Sequence, residues 1–153
     1  MKIRRFRNSD AVELARMHRG TIRAINRKDY SKKQIQVWAR SSAKRWRGNA
    51  KAKNSAILVA LDKIKLVGFI HLKDSEVKAL YVHKTYIGRS VGKRLLKKLE
   101  EIAYKKGIRK IKCVSTITAK NFYTIQGFKT IRKTKFQIKS QKLPVYSMVK
   151  DLN

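Results

Sequence analysis

The chain has 153 residues, 40 of them Lys or Arg against nine Asp or Glu, for a formal net charge of +31. That length fits one ordinary domain over residues 1–153 and excludes a large second module, while the charge demands solvated basic faces and bears on partners rather than on fold. A single cysteine, Cys113, excludes an internal disulfide; no apolar run approaches the ~18 residues of a membrane span, so a cytoplasmic protein without a membrane partner is expected.

Lys2–Arg7 alternates basic and apolar residues, which predicts a first strand with Ile3 and Phe6 turned inward. Asn8, Ser9 and Asp10 offer helix caps, and Val12, Leu14, Met17, Ile22 and Ile25 recur at helical spacing up to Asn26. After a break at Tyr30-Ser31, the spacing of Ile35, Trp38, Ala39, Ser42 and Trp46 predicts a second helix. Arg47–Asn54 is polar and Lys-rich and reads as a short loop. Ser55–Leu61 and Lys65–Lys73 are apolar runs turning at Asp62-Lys63, with Gly68 inside the second. Asp74-Ser75 turns the chain again into Glu76–Val82, completing an antiparallel meander.

Leu80-Tyr81-Val82 then runs into the basic loop Ile87-Gly88-Arg89-Ser90-Val91-Gly92 and on into a helix whose stripe is Val91, Leu95, Leu99 and Ile102, ending near Gly107. A helix N-terminus directs several backbone N–H groups at one spot, and small residues there let a pyrophosphate come close. The string is neither a Walker A loop nor a dinucleotide fingerprint, and an ordinary strand-to-helix turn has the same outline. Lys110–Ser115 predicts a strand that holds Cys113 as a core residue rather than a reactive thiol. Thr118–Gln126 reads as a short helix closed by Gly127. Phe128–Lys133 and Val145–Val149 read as final strands, with Phe136 and Ile138 extending one and Pro144 confined to a strand start.

The loop resembles motif A of the GNAT N-acetyltransferases, Gln/Arg-x-x-Gly-x-Gly/Ala after a strand ending Tyr-Val. Two residues depart from it: Ile87 replaces Gln or Arg, and Ser90 replaces the first glycine, so Ser90 is expected to avoid positive φ. Ala119-Lys120-Asn121-Phe122-Tyr123-Thr124-Ile125-Gln126-Gly127-Phe128 resembles motif B, and the likeness extends over nearly the whole chain. It implies an α/β GNAT fold, a mixed and mostly antiparallel sheet of about seven strands, splayed between the fourth and fifth and flanked by about four helices. It also implies acetyl-CoA as co-substrate, with no metal. The pantetheine arm would bond Leu80, Tyr81 and Val82, the pyrophosphate would sit on Ile87, Gly88, Arg89, Ser90, Val91, Gly92 and Lys93, and Thr116 would take the place of an Asn that bonds the arm in many relatives. Tyr123 matches the tyrosine that protonates the departing sulfur. Glu76 falls where several relatives place a catalytic glutamate, although a strand-end acid paired with a lysine reads equally well there. His83 and His71 are weaker candidates for the base, His83 rather as a structural residue.

The function so implied is acetyl transfer to a primary amine of a small molecule or polypeptide. A second reading is a basic RNA- or ribosome-binding module on the same scaffold, with Tyr30, Trp38 and Trp46 as stacking groups amid Arg and Lys; core packing of the two tryptophans is the plainer alternative. The charge of +31 argues against polycationic amines and for an anionic amine, an acidic peptide N-terminus or an aminoacyl-RNA. A homodimer stays open.

Overall fold

The alternating start of the chain forms β1 (Lys2–Arg5), and the first periodic stretch forms α1 (Ala11–Ala24) in the computed structural model, which describes residues 1–153. There follow α2 (Lys32–Trp38), α3 (Ala43–Lys51), β2 (Ser55–Asp62), β3 (Lys65–Lys73), β4 (Glu76–Val82), α4 (Val91–Lys105), β5 (Lys110–Thr116), α5 (Lys120–Ile125), β6 (Lys129–Ile138) and β7 (Gln141–Asp151). The strands form one sheet in the order β1-β2-β3-β4-β5-β7-β6, antiparallel throughout except for β4 with β5. This is the mixed, mostly antiparallel seven-stranded sheet that the sequence leads one to expect.

Three local expectations are corrected. The stripe from Ile35 to Trp46 is two helices: α2 ends at Ala39, whose ψ of 56° leaves the helical region, and Ser42 starts α3 by accepting the Arg45 N–H at 3.2 Å. Arg47–Lys51 therefore belongs to α3 rather than to a loop, and five helices flank the sheet, in keeping with the expected number of about four. Val12, placed in the α1 stripe by spacing, is 52% exposed, whereas Leu14, Met17 and Ile22 are buried. Pro144 lies inside β7 opposite Lys135 rather than at its start. Its carbonyl accepts from the Tyr30 hydroxyl at 2.6 Å, so its edge faces away from β6, and β5 pairs with β7 only from Val145 onward. The missing N–H thus removes no ladder bond.

β2 and β3 are continuous apolar runs because helices cover both faces. On one face Leu14, Met17 and Trp46 pack on Ile57, Val59 and Phe69; on the other Val91, Leu95, Leu96 and Leu99 pack on Leu58, Val67 and Ile70. Burial at 25 cal/mol per Å² makes each such side chain worth about 2 kcal/mol. A smaller cluster joins Ile22, Tyr30, Ile35 and Ala39 to Leu143 and Val145, seating the end of α1 and α2 on β7.

The sheet opens at its centre. β4 and β5 pair only at Glu76 with Lys112 and Val77 with Cys113, then separate. In β4 the register against β3 passes from Val77 opposite Leu72 to Ala79 opposite His71, leaving Lys78 as the extra residue of a bulge. A bulge bends its strand, and this one falls where the two strands part.

Candidate functional site

A cavity of about 440 Å³ fills the opening, walled by β4, β5, the loop before α4, α5 and the end of α1. Of the residues expected to act, Leu80, Tyr81, Val82, Ile87, Gly88, Ser90, Val91, Gly92, Lys93, Thr116 and Tyr123 all line it; Arg89 and Glu76 do not. Arg89 instead lies over the Tyr86 ring, 5.0 Å from its centroid. Glu76 sits at the closed end of the opening with its carboxylate 2.5 Å from Lys78 Nζ, and Lys78 itself reaches the wall. His71 is buried outside the wall, its Nε2 2.8 Å from Ser55 Oγ, and burial chiefly, with Lys78 and Lys73, lowers it to about 4. His83 caps the turn after β4, its Nδ1 accepting from the Thr85 N–H at 3.2 Å.

The loop that leads into α4 is built from two left-handed residues, Gly88 at φ +83° and Ser90 at φ +62°. The expectation that Ser90 avoids positive φ is thus corrected. The turn needs that conformation to aim its N–H groups inward, and a serine there accepts a strain of about 1 kcal/mol. The Ser90 side chain makes no cap. The first bond of α4 runs from the Arg94 N–H to the Ser90 carbonyl at 3.0 Å, so the N–H groups of Val91, Gly92 and Lys93 point out of the helix end. With the helix dipole behind them and Lys93 beside them, they form a seat for an anion. Tyr86 fastens the loop to the β2–β3 turn, its hydroxyl donating to Asp62 Oδ2 at 2.6 Å. Nothing in the sequence signals that link, because the partners lie 24 residues apart, one at the end of β2 and the other in the turn after β4.

Register decides which main-chain groups of β4 face the opening. The His83 N–H donates to the Val67 carbonyl at 2.8 Å, and antiparallel bonding alternates, so His83, Tyr81 and Ala79 bond β3 while Leu80 and Val82 turn toward the cavity. The Val82 carbonyl accepts from the Thr21 hydroxyl at 3.2 Å. Leu80 keeps both groups free for an extended ligand, and Val82 keeps its N–H. Thr116 has turned its hydroxyl to the start of α5, accepting from the Ala119 N–H at 3.1 Å.

Tyr123 enters from α5, its ring held edge-on between Phe122 at 5.4 Å and Phe128 at 5.2 Å. Burial, reinforced by Cys113 and Tyr81, raises its phenol well above the ordinary value, so it stays protonated across the neutral range. Burial likewise pushes the Cys113 thiol up to about 12, consistent with an inert core residue. From the opposite face come Thr21, Ile25 and Asn26, which sequence reasoning missed. Asn26 is 4% exposed and its side chain makes no hydrogen bond, yet neither of its polar atoms is sealed: the one sealed and unpartnered side-chain atom is Nδ1 of His18. The amide therefore opens on the cavity. Of the stacking groups of the RNA-module reading, Tyr30 and Trp46 are buried and Trp38 is half-buried, packed edge-on against Tyr30 at 5.3 Å, so core packing accounts for them.

A splayed mixed sheet with an anion seat on one lip and a buried phenol beside it defines an acyl-transfer cleft of the GNAT kind. Residues 26–152 match the family described as an acetyltransferase (GNAT) domain. The chain belongs to the GNAT acetyltransferases, enzymes that draw their acetyl group from acetyl-CoA. Among solved structures, a GCN5-related N-acetyltransferase from Rhodopseudomonas palustris is similar at 27% identity and a TM-score of 0.92, over 99% of this chain and 95% of that one. PaiA N-acetyltransferase from Thermoplasma acidophilum, solved in complex with coenzyme A, is similar at 25% identity and 0.83, over 98% of both chains. An aminoglycoside 6'-N-acetyltransferase complexed with coenzyme A shares the fold at 17% identity and 0.72, over 100% of this chain and 98% of that one. No protein of curated function matches the sequence.

Proposed function

We propose that this chain transfers the acetyl group of acetyl-CoA to a primary amine that attacks directly while both substrates are held in the central cleft. The observation that carries the reading is the meeting, in one cavity, of the uncapped N-terminus of α4, the free β4 edge at Leu80 and Val82, and the Tyr123 phenol. The likeness to a protein solved with coenzyme A supports it.

Bound acetyl-CoA supplies a thioester, from which the amine takes the acetyl group and leaves a thiol. The N–H groups of Val91, Gly92 and Lys93 hold the pyrophosphate, helped by the screening charges of Arg89 and Arg94 nearby. A Cβ on Gly92 would meet the Phe122 ring and Val82 at ordinary contact distance, 3.4–3.5 Å, so a longer side chain there would have to enter the cavity. Leu80 and Val82 bond the pantetheine arm as a neighbouring strand would, and the Leu80 N–H is the donor placed to steady negative charge on the carbonyl oxygen. Tyr123 donates a hydrogen bond to the departing sulfur. Its raised pKa makes it a reluctant acid, so it gives up its proton only as that proton is replaced from the amine side. We give Glu76 the role of holding Lys78 rather than that of base, on the ion pair between them.

Acetyl-CoA is expected to raise the melting temperature, and CoA release in the presence of an amine panel reports turnover. Tyr123→Phe is expected to lower kcat on the order of 10²-fold while leaving the acetyl-CoA shift intact. Equal turnover in the two proteins would take the acid role from Tyr123, and no thermal shift at millimolar acetyl-CoA would overturn the assignment.

A further inference from the structure

We propose that the acceptor end of the cavity is built for an α-amine with a neighbouring carbonyl, as in an amino-acid amide or a peptide N-terminus, and that the Asn26 carboxamide receives it. The inference rests on the acetyl-transfer reading and specifies its substrate.

The first observation is what the wall contains. Among the lining residues the groups that can ionise are Lys78, Lys93, Tyr81, Tyr86 and Tyr123; none is Asp, Glu or His. Burial raises both Tyr81 and Tyr123, and the Asp62 hydrogen bond raises Tyr86, so no phenolate is at hand to accept a proton. An acceptor must then arrive neutral. An α-amino group has an ordinary pKa of about 7.7–8.0 and is on the order of one-third neutral at pH 7.5, whereas an alkyl amine like that of lysine, near 10.4, is neutral to roughly one part in a thousand. The same wall offers a cation no carboxylate, since Glu76 stands outside it and is held by Lys78, while Lys93 adds a positive charge that makes no ion pair.

The second observation is Asn26 itself. It is buried in the turn after α1, its amide has no partner within the protein, and it opens on the cavity from the sheet face opposite α5. A carboxamide offers two donors and an acceptor oxygen, which match a carbonyl and an N–H on the acceptor. Thr21, one turn earlier, is committed to the Val82 carbonyl, which leaves Asn26 as the open polar group of that wall. In the transfer the amine nitrogen bonds the acetyl carbon, the carbon–sulfur bond breaks with its electron pair staying on sulfur, and the proton lost by nitrogen ends there. No co-reactant beyond the two substrates is required.

The test uses the full chain with acetyl-CoA and four acceptors: alaninamide, alanyl-alanine, Nα-acetyl-lysinamide and putrescine. At pH 7.5 the two α-amines are expected to exceed the two alkyl amines at least tenfold in kcat/KM, and the acidic limb of the pH–rate profile is expected to follow each acceptor's own pKa. Activity with alaninamide alone would point to small molecules, and activity retained on alanyl-alanine to polypeptide ends. Asn26→Ala is expected to raise KM for alaninamide about tenfold with a smaller change in kcat, and to weaken binding of N-acetylalaninamide to the CoA-loaded protein by a similar factor. Asn26→Asp, nearly the same shape, is expected to shift preference toward putrescine. An unchanged acetyl-CoA thermal shift in both variants shows that they fold. Equal or better use of putrescine or Nα-acetyl-lysinamide by the unmodified chain overturns the inference, as does a limb fixed at one pH for every acceptor or an unchanged KM in both variants. Absence of any acetyl-CoA thermal shift in the unmodified chain is the distinct failure of the acetyl-transfer reading itself.

Discussion

Ser90 holds a backbone angle that side chains resist, at the point where the N–H groups of the anion seat converge. Replacing it with glycine removes the clash of Cβ with the following carbonyl, so Ser90→Gly is expected to stabilise the fold by roughly 1 kcal/mol, about 2–4 °C in melting temperature, without weakening acetyl-CoA binding. A lowered melting temperature would show that the loop carries no such strain. Two buried histidines act in the other direction. His18, caged by Trp46, Phe69 and Tyr81, is lowered to about 3 by burial first and then by Arg45 and Arg19, and His71 is lowered to about 4. Both are neutral when folded, while the unfolded chain protonates them below pH 6.5, so the unfolded state binds more protons and stability falls as pH drops from 6.5 toward 4. Each is expected to add a slope approaching 1.4 kcal/mol per pH unit, roughly, between pH 6 and 5. Denaturant titrations across that range check it. His18→Leu should remove about one proton's worth of slope, and an unaltered slope would place the acid sensitivity elsewhere.

At the scale of elements, the anion seat depends on how closely α4 lies on β3. Gly68 makes that approach possible, since a Cβ there would stand 3.0 Å from Val91 Cγ1, 3.1 Å from Leu95 Cδ1 and 3.2 Å from the Tyr81 carbonyl. A larger residue must push away the first turn of α4, the turn whose N–H groups are proposed to hold the pyrophosphate. Gly68→Val is therefore expected to cost about 1–3 kcal/mol of stability and to weaken acetyl-CoA binding as well. Loss of stability with unchanged affinity would mean that the helix end keeps its place independently of this contact. Tyr30 does similar work at the other lip. Its hydroxyl donates to the Pro144 carbonyl and accepts the Ile117 N–H at 2.9 Å, tying the turn after α1 to β7 and to the segment after β5. Asp29 adds a bond from the Thr118 hydroxyl at 2.8 Å.

Over the whole molecule the charge of +31 sets a field that favours anionic ligands before any contact forms. The thermal shift produced by acetyl-CoA is expected to shrink from low salt to 1 M NaCl, because the screening length falls from about 10 Å at 0.1 M to about 3 Å at 1 M. A salt-independent shift would assign binding to the pantetheine groove and not to the basic surroundings of the phosphates. The field also protects the sheet. The outer edge of β6 is lined by Lys129, Arg132, Lys133 and Lys135, which oppose pairing with a second copy although Ile131 and Phe136 are exposed there. No helix is long and apolar enough to cross a membrane.

The sequence by itself determined the strands and their meander, the strand-to-helix loop before α4 and the short helix that carries Tyr123. These rest on periodicity, caps and contiguous motifs, which are local. It misjudged the break between α2 and α3 because Ala39 to Ser42 continues the apolar spacing while the chain turns away, and it misjudged Ser90 because only the assembled loop reveals the left-handed angle. Tertiary structure alone decided the rest of the site. Asn26 and Thr21 reach the opening only because α1 crosses the sheet face opposite α4, and no spacing in the chain encodes that meeting. The same holds for Leu80 and Val82 over Tyr81, a choice made by register against β3, and for Glu76, drawn to Lys78 at the closed end of the strands. A motif written within one segment is legible because its parts are covalently ordered; a wall assembled from five segments becomes legible only when packing has brought them together.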